Sequence, residues 1–264
     1  MPEKNKIAIL IPARLDGVRL PSKVLMDFCG VPMVEHVRRR ASLNSSNANV
    51  FVVSGDREVL EVTGNFKGDS VQTFDVHENG TSRCAEAAAE LDYEHFIIAQ
   101  GDEILLLPRH LNSLIDALQT NPNFEMVNTI APLKNNDELS DESIVKCLIS
   151  KEMKIIMMFR KVPMNYKGDE DFKLFYKVLG LFSFSKELLA KVSKFEFTNF
   201  EKVESIEQMR LIENDVLIHA LVLDKSYPSV NVEKDVLAVQ KIMEIDAEQA
   251  ETLKMIINEE IQES

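Results

Sequence analysis

Short apolar runs alternate with amphipathic stretches along the first half of the chain. The run at residues 7–11, Ile-Ala-Ile-Leu-Ile, has the length of a strand and no polar position, which is typical of a strand buried on both faces. Further predicted strands lie at residues 50–53, 70–74 and 96–99. Amphipathic or Ala-rich segments predict helices at residues 33–41, 58–62, 81–91 and 108–118. This alternation predicts an α/β fold with a doubly wound, mostly parallel sheet.

The pattern changes from about residue 132. Apolar runs at residues 144–149 and 155–159 are separated by a short polar stretch, which predicts a β-hairpin. The next predicted segments are a polar loop at 165–171, a strand at 179–184, helices at 186–192 and 201–212, a strand at 216–223 and a helical face over 233–261. We therefore predict a single domain over residues 1–264 that contains an antiparallel insertion at residues 133–200.

The net charge of the 264-residue chain argues against two classes of binding partner. Asp and Glu outnumber Lys and Arg by 43 to 30, a net charge of −13. Such a chain binds phosphate polymers and anionic membranes poorly, so neither nucleic acid nor membrane insertion is expected. No stretch approaches the ~20 apolar residues of a membrane span, and no signal-peptide pattern precedes the first strand. Three cysteines without a Cys-x-x-Cys pair favour a reduced, cytoplasmic protein.

A basic loop follows the first predicted strand, where a doubly wound sheet binds its ligands. It runs from Pro12 to Lys23 and carries Arg14, Arg19 and Lys23. It matches neither the Gly-x-Gly-x-x-Gly fingerprint nor the phosphate loop of nucleoside triphosphatases. Arginine forks and a lysine charge complement the oxygens of a triphosphate, and the alternative is a solvated basic loop.

An acidic group follows the strand at residues 96–99. Asp102 lies in the stretch Gln-Gly-Asp-Glu and could hold Mg²⁺, which takes one or two carboxylates together with phosphate oxygens and water. The alternative for an isolated acidic pair is a turn or a helix cap. A cationic cradle beside a metal-binding carboxylate is what nucleotidyl transfer requires.

Several of these stretches together resemble a known family. Residues 11–14, Ile-Pro-Ala-Arg, with residues 19–23, Arg-Leu-Pro-Ser-Lys, resemble the signature loop of the sugar-acid cytidylyltransferases, in particular those acting on 3-deoxy-manno-octulosonate (Kdo). The match continues through residues 30–33, 79–83 and 100–103 and, more loosely, 201–210. It therefore covers most of the chain in the right order and implies a Rossmann-like nucleotidyltransferase domain.

The resemblance implies that CMP passes from CTP to the anomeric hydroxyl of a 2-keto sugar acid, with release of pyrophosphate. Arg14 and Lys23 would grip the triphosphate, with Arg19 assisting, and Asp102 would hold Mg²⁺. The groups that would surround the nucleotide are Ala13, Asn79, Gly80, Thr81 and Gln100. Those on the acceptor side would be Gln100, Arg160, Glu207 and Gln208. CTP and a sugar acid are thus the expected partners and Mg²⁺ the expected cofactor.

The resemblance also implies a homodimer. In the family, the antiparallel insertion forms the contact between subunits and covers the sugar site. Five phenylalanines would supply apolar surface for such a contact, and the alternative is an ordinary local core. They are Phe159, Phe172, Phe175, Phe182 and Phe184.

Three positions depart from the family pattern. Asn231 stands where the family has a second metal-binding Asp, and an amide oxygen ligates Mg²⁺ without bringing charge. We predict that Asp224 or Glu233 compensates. Val178 and Phe182 stand where the family presents a His and a Tyr, which removes hydrogen bonds to a polyhydroxy ligand. The sequence therefore predicts a deoxy, amino or otherwise less hydroxylated relative of Kdo as the acceptor.

Two other functions stay open at this point. One is the activation of a nine-carbon sialic-type acid or of another acid acceptor. The other, motivated by Asn231, is a CTP-binding regulatory protein without catalysis.

Overall fold

The computed structural model describes residues 6–17, 20–74, 76–163 and 171–258. No helix within these ranges is long and apolar enough to cross a bilayer. Arg19 and most of the predicted loop at residues 165–171 lie outside the described residues.

The described residues form eleven strands and ten α-helices. The strands are β1 (Ile7–Pro12), β2 (Asp27–Phe28), β3 (Val31–Pro32), β4 (Asn49–Ser54), β5 (Asp69–Gln72), β6 (His95–Ala99), β7 (Met126–Pro132), β8 (Lys146–Ile149), β9 (Ile155–Phe159), β10 (Tyr176–Ser185) and β11 (His219–Val222). The helices are α1 (Met33–Ser42), α2 (Arg57–Asn65), α3 (Gly80–Glu90), α4 (Pro108–Thr120), α5 (Asn136–Ser140), α6 (Lys186–Val192), α7 (Asn199–Glu204), α8 (Gln208–Glu213), α9 (Glu233–Ile245) and α10 (Ala247–Asn258).

One large sheet organises the molecule. Its main strands lie in the order β11-β7-β10-β6-β1-β4-β5, and β8 and β9 extend from β10. The pairs β1–β4, β1–β6, β4–β5 and β7–β11 are parallel, whereas β10 runs antiparallel to both of its neighbours, β6 and β7. The predicted doubly wound, mostly parallel α/β sheet is therefore confirmed.

The alternation of side chains along β1 produces the two apolar layers on either face of the sheet. Ile9 and Ile11 belong to one buried cluster, and Ala8 and Leu10 to the other. All four side chains are fully buried. The apolar run therefore reflects burial on both faces, as the pattern predicts.

The sequence analysis missed β7. This strand is buried from Met126 to Ala131, but Asn128 and Thr129 interrupt its apolar run. Polar residues at fully buried positions make a central strand look like a loop. Their side chains bond to the neighbouring strand, as described below.

Two predicted helices are each divided in two. The segment 201–212 breaks between α7 and α8 at Ser205, whose φ of 53° ends the first helix. Arg210 and Glu201 join the two halves through a buried ion pair, with Nη2–Oε1 and Nε–Oε2 distances of 2.5 and 2.7 Å. The C-terminal segment breaks at Asp246, whose carboxylate accepts backbone amides of the first turn of α10.

The expectation that phenylalanines of the insertion supply a subunit contact is wrong for four of them. Phe159 and Phe175 are buried in a local core with Leu133 and Leu139. The other two, Phe182 and Phe184, are buried in one of the two main apolar layers. The alternative of an ordinary local core holds for these four side chains. The boundaries 133–200 stay a prediction, and within them β10 is a central strand of the sheet.

Candidate active site

The chain after β1 and the chain after β6 meet at Pro12. A Cβ on Gly101 would lie 2.7 Å from the backbone oxygen of Pro12, and one on Gly80 would lie 2.9 Å from its Cγ. At distances below 3 Å, a side chain at either position would force Pro12 to shift. The two glycines thus allow the Gln-Gly-Asp-Glu stretch and the start of α3 to approach the same strand end.

Lys23 and Asp102 converge, although they lie far apart in the sequence. The Lys23 ammonium is 2.8 Å from Asp102 Oδ2 and donates to the backbone oxygen of Val230 at 3.0 Å. Both side chains are about one-fifth exposed, 20% and 19%. The loop that carries Lys23 is closed by a hydrogen bond from the Ser22 amide to the Leu15 oxygen. The predicted meeting of the Lys23 cation and the Asp102 carboxylate is therefore present, as a partly exposed ion pair.

Two other residues of the basic loop lie at the same strand end. Ala13 is buried and its amide donates to the backbone oxygen of Val53. Arg14 is half-buried, and its Nε lies 3.5 Å from Asp16 Oδ1. A pair this long and exposed holds the guanidinium weakly, so Arg14 is available to an anionic ligand. The role of Arg14 on a triphosphate stays a prediction.

The N-terminus of α3 carries the residues predicted to surround the nucleoside. Asn79 caps this helix by accepting the Ser82 amide at 2.8 Å, and Thr81 is buried. The preceding loop is tied to the helix by Glu86, whose carboxylate accepts the Phe74 amide and lies 2.6 Å from His77 Nε2. Glu86, which is half-buried, was not among the predicted residues, since only its contacts across the loop distinguish it from other polar helix positions.

The segment before α9, which contains Asn231, contacts both Lys23 and Asp102. The Val230 amide donates to the backbone oxygen of Asp102 at 3.4 Å, and Val230 also accepts from Lys23. Asp235 holds the segment in place, because its Oδ2 accepts the amides of Asn231 and Val232 at 2.8 and 2.9 Å. The sequence analysis missed Asp235, although an acidic residue in the first turn of a helix is a recognisable capping signal.

Of the two carboxylates expected to compensate for Asn231, Asp224 is engaged elsewhere, and the role of Glu233 stays a prediction. Asp224 gives both oxygens to Arg109, at 2.6 and 2.9 Å, and one of them also lies 2.9 Å from His110 Nε2. These contacts hold the pKa of Asp224 well below its usual range. Glu233 is exposed at the start of α9. Asp224 therefore belongs to a surface ion-pair network, which makes it a poor substitute metal ligand.

The donors beside Lys23 fit Mg²⁺. The carboxylate of Asp102 and the amide oxygen of Asn231 are hard oxygen ligands, and Mg²⁺ completes such a set with phosphate oxygens and water. Within the described ranges, no group of three or more His, Cys, Asp and Glu side chains could hold a metal by itself. Binding of Mg²⁺ by Asp102 and Asn231 together with a nucleotide stays a prediction.

Gln100 and Glu103 connect the stretch that contains Asp102 to β10. The backbone N–H of Gln100 donates to the backbone oxygen of Gly180 at 2.9 Å, and the backbone N–H of Gly180 donates to Glu103 Oε1 at 3.2 Å. Burial and the neighbouring charge of Asp102 raise the pKa of Glu103 to about 7. Glu103 was not predicted as a site residue; its hydrogen bond arises only where β10 passes the end of β6.

A small cavity contains three of the six predicted acceptor-side residues, Phe182, Glu207 and Gln208. It is lined by Thr81, Phe182, Phe184, Val192, Glu207, Gln208 and Leu211. The Thr81 hydroxyl bonds to the Glu207 carboxylate, while burial raises the pKa of Glu207 to about 7. Val178 is half-buried on β10, four residues before Phe182. The cavity thus places Thr81, predicted to contact the nucleotide, beside Glu207 and Gln208, predicted to contact the acceptor.

Arg160 makes a different set of contacts from the one predicted. Its guanidinium donates to the backbone oxygens of Glu142, Ser143, Glu204 and Ser205 at 2.9–3.2 Å. These bonds hold the chain after β9 against the break between α7 and α8. A role for Arg160 on the acceptor carboxylate stays a prediction.

Comparison with known proteins identifies the family. The sequence profile of a family described as cytidylyltransferase matches residues 8–218. The 3-deoxy-manno-octulosonate cytidylyltransferase of Chlorobium limicola is 30% identical over 238 residues, which are 89% of this chain and 96% of that protein. The protein of the same name from Escherichia coli is 28% identical, over 90% of this chain and 96% of its own length.

Solved structures agree with this assignment. The structure of CMP:2-keto-3-deoxy-manno-octonic acid synthetase complexed with CTP matches with a TM-score of 0.85 at 26% identity, covering 92% of this chain and 100% of that one. A cytidylyltransferase from Leptospira borgpetersenii, 13% identical, shares the fold with a TM-score of 0.62 over 97% of this chain and 95% of its own. The profile spans most of the chain and the relatives nearly all of it; the chain belongs to the cytidylyltransferase family.

Proposed function

We propose that the protein transfers CMP from CTP to the anomeric hydroxyl of a 2-keto-3-deoxy sugar acid, Kdo or an amino or deoxy variant of it, and releases pyrophosphate. The observation that carries this proposal is the pairing of Lys23 with Asp102 at 2.8 Å, beside the segment that contains Asn231. Lys23 would then supply a cation for phosphates, and Asp102 an oxygen ligand for a divalent ion, at the same place in the fold. The sugar-acid relatives support the choice of acceptor class.

The side chains would act by positioning and by neutralising charge. Lys23 and Arg14 would bind the phosphates of CTP, which aligns the α-phosphorus for attack and balances the charge that develops on pyrophosphate. Thr81 and Gln100 would lie between the nucleoside and the acceptor and would fix the two substrates relative to each other. A transfer of this kind requires no covalent intermediate on the protein.

Mg²⁺ is part of this proposal. When bound, the ion would supply a Lewis acid that neutralises phosphate charge. Asp102 and Asn231 would hold it, and Lys23 would exchange its contact with Asp102 for one with a phosphate oxygen. The ion pair of 2.8 Å would satisfy both charges as long as neither nucleotide nor metal is bound.

The acceptor side supports a less hydroxylated sugar acid. Phe182 is buried in the wall of the small cavity and Val178 is half-buried further along β10. Neither side chain can bond a hydroxyl, and a buried hydroxyl without a partner costs about 1–3 kcal/mol. Loss of one such hydroxyl from the acceptor would then improve binding.

A panel of acceptors tests the proposed reaction. We expect pyrophosphate release from CTP with 2-keto-3-deoxy sugar acids, and about tenfold higher kcat/KM with a deoxy or amino analogue than with Kdo. Kdo as the best acceptor would refute the preference but leave the reaction in place. Release with a sialic-type acid alone would move the acceptor to nine-carbon acids. CTP binding without release for any acid would favour a regulatory protein.

Asn231→Asp tests the proposed metal site. The added carboxylate is expected to lower the Mg²⁺ concentration for half-maximal turnover about tenfold, because a charged ligand replaces a neutral one. The Mg²⁺-dependent gain in CTP binding, measured by calorimetry, should increase in parallel. Asn112→Asp is the matched control, since Asn112 accepts the Ser45 amide away from the site. An unchanged metal dependence of Asn231→Asp would count against a metal role for this residue.

The subunit state and the compartment stay proposals. A homodimer is supported by apolar side chains that remain exposed within residues 133–200, among them Ile156 at 56% and Leu174 at 65%. A reducing, cytoplasmic compartment is supported by Cys29, Cys84 and Cys147, all of which are free thiols.

A further inference from the structure

A fully buried asparagine lies in the central sheet, next to the acceptor-side cavity. Asn128 belongs to β7, where its residue has no exposed surface. Asparagine is depleted in strands, and a buried amide without partners costs roughly 2–7 kcal/mol. Its presence therefore needs a specific set of hydrogen bonds.

Regular pairing between β7 and β10 is interrupted at this asparagine. Asn128 pairs with Phe182, and Ile130 pairs with Val178, so that Thr129 alone faces an extra stretch of β10. The two residues that depart from the family pattern, Val178 and Phe182, are the last regular pairs on either side of this irregularity. The shape of the irregular stretch thus determines where both side chains stand.

Side chains of β7 bind the irregular stretch, residues 179–181. Asn128 Nδ2 donates to the backbone oxygen of Leu179 at 3.2 Å, and Thr129 Oγ1 donates to that of Leu181 at 2.6 Å. These bonds replace the ladder contacts that the interruption removes. Asn128 is therefore one of the groups that give this part of β10 a single conformation.

The side-chain oxygen of Asn128 contacts a residue of the predicted acceptor side. Asn128 Oδ1 accepts a hydrogen bond from Gln208 Nε2 at 3.4 Å. Gln208 lines the cavity together with Phe182 and Glu207. One side chain thus links the irregular stretch of β10 to the first residue of α8.

We propose that Asn128 is a positioning residue for the acceptor, which acts by orienting Gln208 and the 179–181 stretch against a polyhydroxy sugar acid. This inference rests on the proposed function. Lys23 and Asp102, the proposed phosphate and Mg²⁺ ligands, have no contact with Asn128 among the contacts described. Its loss therefore weakens acceptor binding selectively.

Asn128→Ala tests the inference. We expect the KM for the acceptor to rise about tenfold, as for the loss of one buried hydrogen bond, while the KM for CTP changes less than about twofold. Asn44→Ala is the matched control: Asn44 is also buried and bonds to the backbone of Ala41 and Ala48, in a loop outside the site. It should lower the melting temperature and leave both KM values unchanged.

A double-mutant cycle separates positioning from general stability. In a Gln208→Ala background, Asn128→Ala should add little to the acceptor KM, since the two residues act as a unit. Additive effects, an unchanged acceptor KM or an equal change of both KM values would overturn the inference. If Asn128→Ala does not fold, Asn128→Thr, of similar volume and high strand propensity, gives the same test. A wild-type protein that releases no pyrophosphate with any acid would overturn the proposed function first, and this inference with it.

Discussion

Replacement of Lys23 by methionine is expected to lower kcat/KM for CTP by about a hundred- to a thousandfold. The Lys23 ammonium lies 2.8 Å from Asp102 Oδ2 and 3.0 Å from the backbone oxygen of Val230. Methionine keeps most of the length of the side chain but removes its charge. The phosphates would then face the Asp102 carboxylate without a balancing cation. Pyrophosphate release at a saturating acceptor concentration measures the effect.

Two further variants separate charge from folding. Lys186→Met removes another half-buried lysine, one that donates to the Leu91 oxygen at 2.7 Å, and should leave kcat/KM unchanged. Lys23→Met combined with Asp102→Asn should recover stability lost through the unpaired carboxylate, without recovering turnover. Near-normal turnover of Lys23→Met would remove the cation from the proposed mechanism.

Replacement of Asp102 by asparagine is expected to lower kcat about a hundredfold and to abolish most of the gain in CTP affinity that Mg²⁺ provides. The change keeps the size of the side chain and an oxygen ligand but removes its charge. It also releases Lys23 from the ion pair. CTP affinity in the absence of metal should therefore be maintained or strengthened, which a purely structural carboxylate would not produce.

Calorimetry with and without Mg²⁺ makes this test independent of turnover. Asp116→Asn, an exposed aspartate on α4, is the matched control and should behave as wild type. If Asp102→Asn keeps the full Mg²⁺-dependent gain in CTP affinity, the ion is held elsewhere and the proposed metal site is wrong.

The strands that open the chain could be predicted because burial on both faces leaves a plain signature. Residues 7–11 and 96–99 contain no polar position and correspond to β1 and β6. β7 escaped prediction, since Asn128 and Thr129 satisfy their polar groups on β10, and a linear pattern carries no information about that neighbour. The break at Ser205 was missed because the Arg160 contact to its backbone oxygen also comes from a distant part of the chain.

The candidate site divides in a similar way. The basic loop, the Gln-Gly-Asp-Glu stretch and the resemblance to cytidylyltransferases pointed to Lys23 and Asp102 from the sequence, and the structure brings the two together. Asp235, Glu86 and Glu103 were not predicted, because each acts through a hydrogen bond to a backbone that the fold supplies.

The sequence by itself determined the α/β class, the family and which residue types could bind a nucleotide, since these follow from local hydrophobic periodicity and from short motifs. Only the tertiary structure decided which cation each carboxylate pairs with: Asp102 with Lys23 at the candidate site, and Asp224 with Arg109 in a surface network. It also decided that four phenylalanines of residues 133–200 are core residues. Contacts between residues distant along the chain arise from packing of the whole sheet, and no local pattern encodes them.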